Sequence, residues 1–522
     1  MEPVSRGISV VEIPPRSQVI PVAREPVTAF IGPTPRGPAD IPVAVRSLEE
    51  FLLRFGVPGH LSRMEFLLYQ YFENGGSMAI VVRVCRVRRC NRIHLPGPSG
   101  DLVLEALNPG ALEHLRATVD YEGIPAGERG RFNLVIHRCR SPEHPLVEEQ
   151  ESFAGISIRP TDTEFVGNAL AASSLVRLVE PLAAERPGRT LGADSGQPLR
   201  YVYSRGDDSA DGDNIPTDYD LLGSREEGTG LFALEQVPWL DFVCLLPGAS
   251  GLTLGPVALF AAERYCRERR ALLLLDPPAA WRSVADVVRA QRERGFASGN
   301  ALTYFPALES PLHVSVSGGL SAAGAIAGRL CAAGLACSGA QPLSLGRSRA
   351  ALELDEQEMH QLGRLGVNSL SRPAPGRVEL TGLVTMARSG GVSTSWNNLR
   401  QRRVFLFIAD SIARHTRWAA FELSGPSLWR EVRGQCEAFL AALHAQGLLA
   451  GATPREAFYV KCDADTHDAT RGQEMAARLE AIIGVALARG GDFVAFRVAH
   501  AASGSSVTEL GWQPGAALAL AG

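Results

Sequence analysis

Residues 457–467, AFYVKCDADTH, bring Lys461, Cys462, Asp463, Asp465 and His467 within seven positions. Thiolate, carboxylate and imidazole are all zinc ligands, so Cys462, Asp465 and His467 are the first residues to consider for metal chemistry. A zinc site draws its remaining ligands from a second cluster, and the chain has no CxxC or HxxxH pair to provide one. A strand end followed by a polar loop accounts for the same residues. Lys461 is the single lysine among the 52 lysine and arginine residues, which sets it apart whatever its neighbours do.

Other stretches carry ligand-capable side chains. In the acidic segment, Asp207, Ser209, Asp211, Gly212 and Asp218 fall near the ligand positions of a calcium loop. The closing Glu and the flanking helices that such a loop needs are missing, so a solvated turn is the better reading. LLPGASGLTLGP, residues 245–256, follows a strand and precedes a helix, the context for phosphate binding. No lysine follows its glycines and no GxGxxG occurs there, so a plain strand-to-helix loop remains. GASG and SGSS are not GxSxG elbows. Asp276, at a strand end before Pro277, sits where doubly wound sheets bind ligands, but without a partnered His or Lys it reads as a turn residue. The expectation is a chain with no catalytic residue, cofactor or metal.

Several elements stand out around these residues. VTAFIG reads as a buried strand and VAV as another, followed by a helix from Ser47, whose Ser47 and Glu50 have capping-box spacing. SRMEFLLYQYFENGG places Met64, Leu67, Leu68 and Tyr71 at helical spacing with an NGG stop, and the strand MAIVVRV follows. Residues 93–235 are richer in Gly, Pro, Asp and Ser, with the strands RFNLVIHRC and LRYVYSR and one helix over EFVGNALAASSLVRLV. From 236 to 308 strands and helices alternate, WLDFVCLLPG, PVALFAAERYCRERR, ALLLLDPP, SVADVVRAQRERG and ALTYFP, which implies a parallel sheet. Residues 309–385 are too rich in Gly and Ala to assign. In the last domain the helix SLWREVRGQCEAFLAALHAQG puts Leu428, Val432, Cys436, Phe439, Leu440 and Leu443 on one face, with WAAFEL, AFYVKC, IIGVALA and FVAFRVA as strands around it.

The fold class that follows is multidomain α/β: α/β sheet domains, an inserted β-rich outer domain and extended N- and C-terminal arms. The boundaries are 1–24 for the N-terminal arm, 25–92 with 236–393 for the middle domain, 93–235 for the insert, 394–500 for the C-terminal domain and 501–522 for the C-terminal arm. Both arms lack a core of their own. ISVVEI, residues 8–13, has strand character but is followed by PPRSQVIP, and the tail AASGSSVTELGWQPGAALALAG carries Val507 and Leu510.

Composition excludes several classes. A net charge of −4 and pI near 6.3 leave no footprint for nucleic acid or an anionic membrane surface. The N-terminus has no apolar signal core, and the best apolar run, LSAAGAIAGRLCAAGLACSGA, is interrupted by Arg329 and made mostly of Ala and Gly. Nine cysteines without a CxxC pair fit reduced thiols, so synthesis and assembly in a cytoplasm are expected.

Several segments together resemble the contractile tail sheath proteins of myophages and phage-derived injection systems. GISVVEIPPRSQVIPVAREPVTAFIGPTPRGP is similar to that family's opening arm, strand and loop, and VRSLEEFLLRFG and FLLYQYFENGGSMAIVVRV to the segments after it. ESFAGISIRPTDTEFVGNALAASSLVRL, NNLRQRRVFLFIADSIARHTRWAAFELSGPSLWREVRGQCEAFLAALHAQGLLAGATPREAFYVKCD and GDFVAFRVAH extend the likeness over most of the chain. The arm departs from the family pattern in lacking its Tyr and PGV, and residues 315–345 lack the family's TDxxRGVWKAPAN loop.

The resemblance implies a structural subunit that polymerises into a helical sheath around an inner tube protein, with baseplate and terminal cap proteins as further partners. It implies no enzyme activity, no nucleic acid and no direct membrane insertion. Arm strands, here Ile8, Ser9, Val10, Val11, Glu12, Ile13, Val507 and Leu510, would pair with neighbouring subunits, since a strand without a local partner is satisfied by another chain's sheet edge. The last domain would face the tube, with Arg430, Arg433 and Lys461 as contacts, and the insert would face outward. Another tail or baseplate component, or an α/β enzyme with an unrecognised site, are the alternatives.

Overall fold

The computed structural model describes residues 19–56, 63–86, 88–110, 112–141, 146–190, 201–206, 215–248, 253–293, 296–308, 321–335, 343–346, 348–389, 392–393, 396–468, 479–487, 493–502 and 504–513. The chain divides into two compact units, residues 25–397 and residues 1–24 with 398–522.

The first unit opens with β1 (Thr28–Gly32), β2 (Val43–Val45), α1 (Leu48–Phe55), α2 (Arg63–Glu73) and β3 (Ala79–Arg83). Ser47 caps α1, its Oγ accepting from Glu50 N at 3.1 Å. The Glu50 carboxylate takes the Arg46 N–H rather than that of Ser47, so the expected box closes on one side only. Met64, Leu67, Leu68 and Tyr71 are all buried, as the α2 spacing requires.

The next strands are β4 (Arg92–Leu95), β5 (Leu102–Ala106), β6 (Leu115–Asp120), β7 (Arg131–Cys139) and β8 (Val147–Ser157), then α3 (Val166–Leu170), β9 (Val176–Leu178) and β10 (Val202–Tyr203). They form two antiparallel sheets, β4-β5-β9 and β10-β6-β7-β8, around a shared core that includes Leu104, Val119, Phe132, Leu134 and Ile136. β7 alternates inward and outward side chains, the signature of a sheet buried on one face. The long helix expected over 164–179 is not formed. Ser173 Oγ accepts from the N–H groups of Leu175 and Val176, each at 3.1 Å, a local bond that competes with helix continuation, and the chain leaves as β9.

The unit continues with α4 (Asp218–Leu222), a 3₁₀ turn at Gly230–Gln236, β11 (Phe242–Leu245), α5 (Pro256–Glu268), β12 (Leu272–Leu275), α6 (Val284–Glu293), β13 (Ala301–Phe305), α7 (Ala323–Ala333), β14 (Leu343–Ser344), α8 (Glu356–Arg364), β15 (Asn368–Ala374), β16 (Arg377–Thr381), β17 (Arg388–Ser389) and β18 (Val392–Ser393). A nine-stranded sheet runs β14-β16-β15-β13-β12-β11-β1-β3-β2. Its run from β3 through β1, β11, β12 and β13 to β15 is parallel. β1, β3, β11, β12 and β13 are buried at every residue, as strands covered on both faces must be, which explains their continuous rather than alternating apolar sequence. Leu221, Leu231, Ala233 and Leu234 pack in this sheet's core, so the stretch from 218 sides with the sheet rather than with the insert expected to reach 235.

The Ala- and Gly-rich stretch that resisted assignment is α7, almost wholly buried. Its glycines permit unusually close packing on α2. A Cβ at Gly324 would lie 2.0 Å from the Leu67 carbonyl oxygen, and one at Gly328 2.2 Å from that of Tyr71.

In the second unit, α9 (Leu399–His415), a 3₁₀ turn at Arg417–Phe421, α10 (Pro426–Ala445) and α11 (Pro454–Ala457) precede the antiparallel sheet β19-β20-β21-β22, with α12 (Ala464–Asp468) following β19. Its strands are β19 (Phe458–Lys461), β20 (Leu479–Val485), β21 (Phe493–Ala501) and β22 (Gly504–Gln513). α10 buries the six residues its periodicity selected. α9 is buried on nearly every side, a pattern no single apolar stripe reveals. WAAFEL, expected as a strand, begins in the 3₁₀ turn that follows α9, where the Ala419 N–H bonds to the Thr416 carbonyl three residues back. The tail, expected as a free arm, supplies β22. A hairpin through Ala501 and Gly504 makes its own β21 the nearest partner, at little loop-closure cost.

Candidate functional site: the edges of the C-terminal sheet

β19 and β22 are the two edges of the second unit's sheet, and AFYVKCDADTH forms one of them. Cys462 is buried, and burial pushes its thiol up to about 12, so it is a packed thiol rather than a thiolate ligand. Asp463 Oδ1 accepts from Thr466 N at 3.0 Å and Thr466 Oγ1 at 2.8 Å, holding the turn into α12. His467 donates from Nδ1 to the Asp463 carbonyl at 2.7 Å and accepts the Glu480 N–H at Nε2 at 3.0 Å, while its ring stacks on Trp429 at 4.5 Å. Both imidazole nitrogens are thus engaged within the fold. Among the described residues no group of three His, Cys, Asp or Glu is arranged to hold a metal ion.

Lys461 is 43% exposed and lies 3.9 Å from the exposed Asp465 carboxylate. Arg433 acts electrostatically on Asp463 alongside Lys461, so β19 and α10 bring these two cations to the same carboxylate. Arg433 also lies 4.0 Å from Glu437. Arg430 is exposed one turn earlier and donates from Nε to the Pro426 carbonyl at 3.3 Å.

The opposite edge, β22, is mostly exposed. Val507 pairs with the buried Val498. Leu510 is the extra residue of a bulge between the Phe496–Glu509 and Ala495–Gly511 pairs, and it is 40% exposed. Polar contacts help to hold this strand. Glu509 meets the buried Arg402 of α9 at 2.7 Å. At the other end His500, fully buried, lies 2.7 Å from Ser505 Oγ and 2.8 Å from Thr416 Oγ1. The Thr416 hydroxyl donates to the Ile412 carbonyl at 2.7 Å, so Thr416 accepts from His500 Nε2–H, and His500 Nδ1 accepts from Ser505. Burial, reinforced by Arg417, drives His500 down to about 4 and keeps it neutral in this arrangement.

On α9, Asp410 receives Arg24 and, at 3.1 Å, Arg414, and the Arg24 guanidinium lies 5.4 Å over the Phe407 ring. With Ile20 buried, these bonds fix residues 20–24 on this unit. The arm strand itself, Ile8, Ser9, Val10, Val11, Glu12 and Ile13, lies outside the described residues, as do Asp207, Ser209, Asp211 and Gly212 and the glycine-rich turn at 249–252.

Asp276 does not stand in a simple turn. It accepts from Tyr304 Oη and Ser321 Oγ and lies 3.6 Å from Arg63, and Tyr304 Oη in turn accepts the Ala322 N–H at 2.6 Å, so the group ties strand ends to the start of α7. Sequence reasoning passed over α9 with its buried Arg402, Arg403 and Asp410, and over His500. The available signal was Asn398, which caps α9 by accepting from Gln401 N, followed by seventeen residues without a breaker.

No protein-family model matches the chain, and no curated protein matches it by sequence. Solved structures do. A sheath tail protein from Listeria innocua aligns with a TM-score of 0.59 at 11% identity, covering 94% of this chain and 96% of that one. A sheath tail protein from Desulfitobacterium hafniense aligns at 0.54 and 8% identity, covering 97% and 100%. The sheath of an extracellular contractile injection system, PVC, in its contracted state, aligns at 0.52 and 12% identity, covering 94% and 96%. A likeness spanning both units, the antiparallel module of the first included, means that the chain has the fold of the tail sheath proteins.

Proposed function

We propose that this chain is the structural subunit of a contractile sheath, which polymerises helically around an inner tube and contracts to drive that tube through a target membrane. The whole-chain fold likeness carries the reading, since it extends over 94–97% of the sequence and includes a sheath in its contracted state. The sheet edge adds physical support. β22 has no strand on its outer side among the described residues, so its main-chain groups there are available to a neighbour. In this reading the arm strand Ile8–Ile13 of one subunit adds to the C-terminal sheet of another, and β22, with Val507 and Leu510, takes part in the same linkage. Anchoring of residues 20–24 on the second unit supports this, because it gives the arm a fixed point of departure. Head-to-tail links whose rotation does not close build an open helix, and hence a tubular sheath.

Arg430, Arg433 and Lys461 are the tube contacts in this reading, supported by the exposure of Arg430 and the half-exposure of Lys461 at a sheet edge. The module within residues 93–235 faces outward, which suits a part that closes its own core. Baseplate and terminal cap proteins complete the particle, which is assembled in the cytoplasm. Negative-stain microscopy of the full chain tests the proposal: striated hollow tubes are expected, and a monodisperse monomer under all assembly conditions would refute it. Deleting residues 1–14 should abolish tubes and leave a folded subunit.

A further inference from the structure

A groove of about 630 Å³, the size of a ligand site, lies beside α8 in the first unit, lined by that helix, by β15 and β16 and by the turn after them. Met359, Val367 and Val384 give it an apolar lining. The turn is strained: the buried Leu383 has φ +37°, and Asn368 pins the next residue, accepting the Val384 N–H at 2.7 Å and donating to the Val384 carbonyl at 2.8 Å. Backbone of this kind is kept at ligand clamps. Asn397 also lines the groove, and its Oδ1 is buried with no donor among the described residues, where a buried acceptor is ordinarily satisfied. At the rim the exposed Arg364 has no carboxylate partner among the described residues, with His360 one turn and Glu356 two turns before it on α8. An occupant that suits this groove brings an apolar body, an N–H donor and a carboxylate.

The second unit presents that combination. Where the 3₁₀ turn at Arg417–Phe421 ends, Phe421 is 73% and Leu423 94% exposed, with the exposed Glu422 between them. Leu423 is the most exposed large apolar side chain among the described residues; there its N–H has no acceptor and Glu422 has no cation. Glu422 is extended, so Phe421 and Leu423 project to one side and the carboxylate to the other. Two large apolar side chains side by side at the surface mark an interaction site. Resting on the sheath reading above, we infer that the groove beside α8 receives the Phe421–Glu422–Leu423 segment of a second copy, with Phe421 and Leu423 on its apolar lining, the Leu423 N–H on Asn397 Oδ1 and Glu422 on Arg364 at the rim. Each copy then carries one groove and one segment, a heterologous contact that propagates along a polymer. It is made by side chains and adds to the strand links without using them.

Gly363 of α8 lines the groove with nothing within 4 Å of its Cβ position, so Gly363→Leu fills the groove without a clash. That variant and Leu423→Ser should keep at least the wild-type thermal midpoint and raise the critical concentration for tube assembly about ten-fold. An unchanged critical concentration in either would overturn the contact. Arg364→Glu and Glu422→Arg should each raise it several-fold and the double variant should recover most of the loss, whereas additive losses would refute the pairing. For a direct reading, full-length Gly363→Cys and Leu423→Cys chains with different tags are mixed and treated with a short bismaleimide, wild type setting the background from native thiols. An interchain 363–423 link is expected. Tubes without that link overturn the contact and leave the sheath reading standing. The link in a species that never forms tubes keeps the contact and removes the sheath reading, and absence of both removes both. In the double variant Gly363→Cys/Leu423→Cys, a link within a single monomeric chain would assign the groove to the chain's own segment and overturn the inference.

Discussion

Alanine at Gly328 should destabilise the first unit, although the same substitution in an exposed helix stabilises. In an open helix interior Gly→Ala gains about 1 kcal/mol from propensity. At Gly328 the new Cβ would fall 2.2 Å from the Tyr71 carbonyl oxygen, and at Gly324 2.0 Å from that of Leu67. Relief requires α7 to move away from α2 by about 1 Å, against backbone that cannot rotate aside. Overpacking of this severity costs about 3 kcal/mol, leaving a net loss of about 2 kcal/mol, or about thirty-fold faster exchange by local opening. Leu67 and Tyr71 are one turn apart, as are Gly324 and Gly328, so a single displacement relieves both clashes. The double variant should therefore cost less than the sum of the singles. Gly434 in α10 is the control: nothing lies within 4 Å of its Cβ position, and Gly434→Ala should slow exchange of α10 about five-fold. Hydrogen exchange resolved by peptide reads all three. If Gly328→Ala protects α2 and α7, or leaves them unchanged, the close-approach argument is wrong.

Two further outcomes follow from the second unit. His500 is held near 4, below its ordinary 6.5, so the unfolded chain binds a proton that the native state refuses; stability is full above about pH 6.5 and declines as pH falls toward 4, by about 3 kcal/mol at most. His500→Gln should remove that part of the slope, measured as the difference in urea midpoint between the two proteins across this window, and identical slopes would contradict it. Lys461→Glu should leave the thermal midpoint unchanged, because the side chain is 43% exposed, while reducing assembly on the inner tube protein several-fold; normal assembly on the tube would remove Lys461 from the contact set.

Periodicity and chain-end chemistry were enough for the elements with local signals. The α2 and α10 stripes, the Ser47 cap and the alternating strands and helices from Phe242 to Phe305 were legible because each buries residues at its own repeat or closes its own hydrogen bonds. α7 was illegible because its glycines answer to α2, more than 250 positions away, and a helix buried on every side shows no stripe. α9 was hidden for the second of these reasons. The helix expected over 164–179 failed on a serine hydroxyl, and the WAAFEL strand on the short-range bonds of a 3₁₀ turn.

The polar residues divide in the same way. By itself the sequence determined the alternation of strand and helix between residues 236 and 308, whereas a metal-free AFYVKCDADTH and coreless strands at the two ends were expectations. Tertiary structure alone decided that both His467 nitrogens are spent inside the fold, that Asp276 is tied to Tyr304 and Ser321, and that Glu509 and His500 fasten a strand read as free. The physical reason is range. Periodicity and capping act within a few residues, whereas a buried polar group is satisfied by whichever partner the packed chain brings within 3 Å, and sequence distance does not constrain that choice.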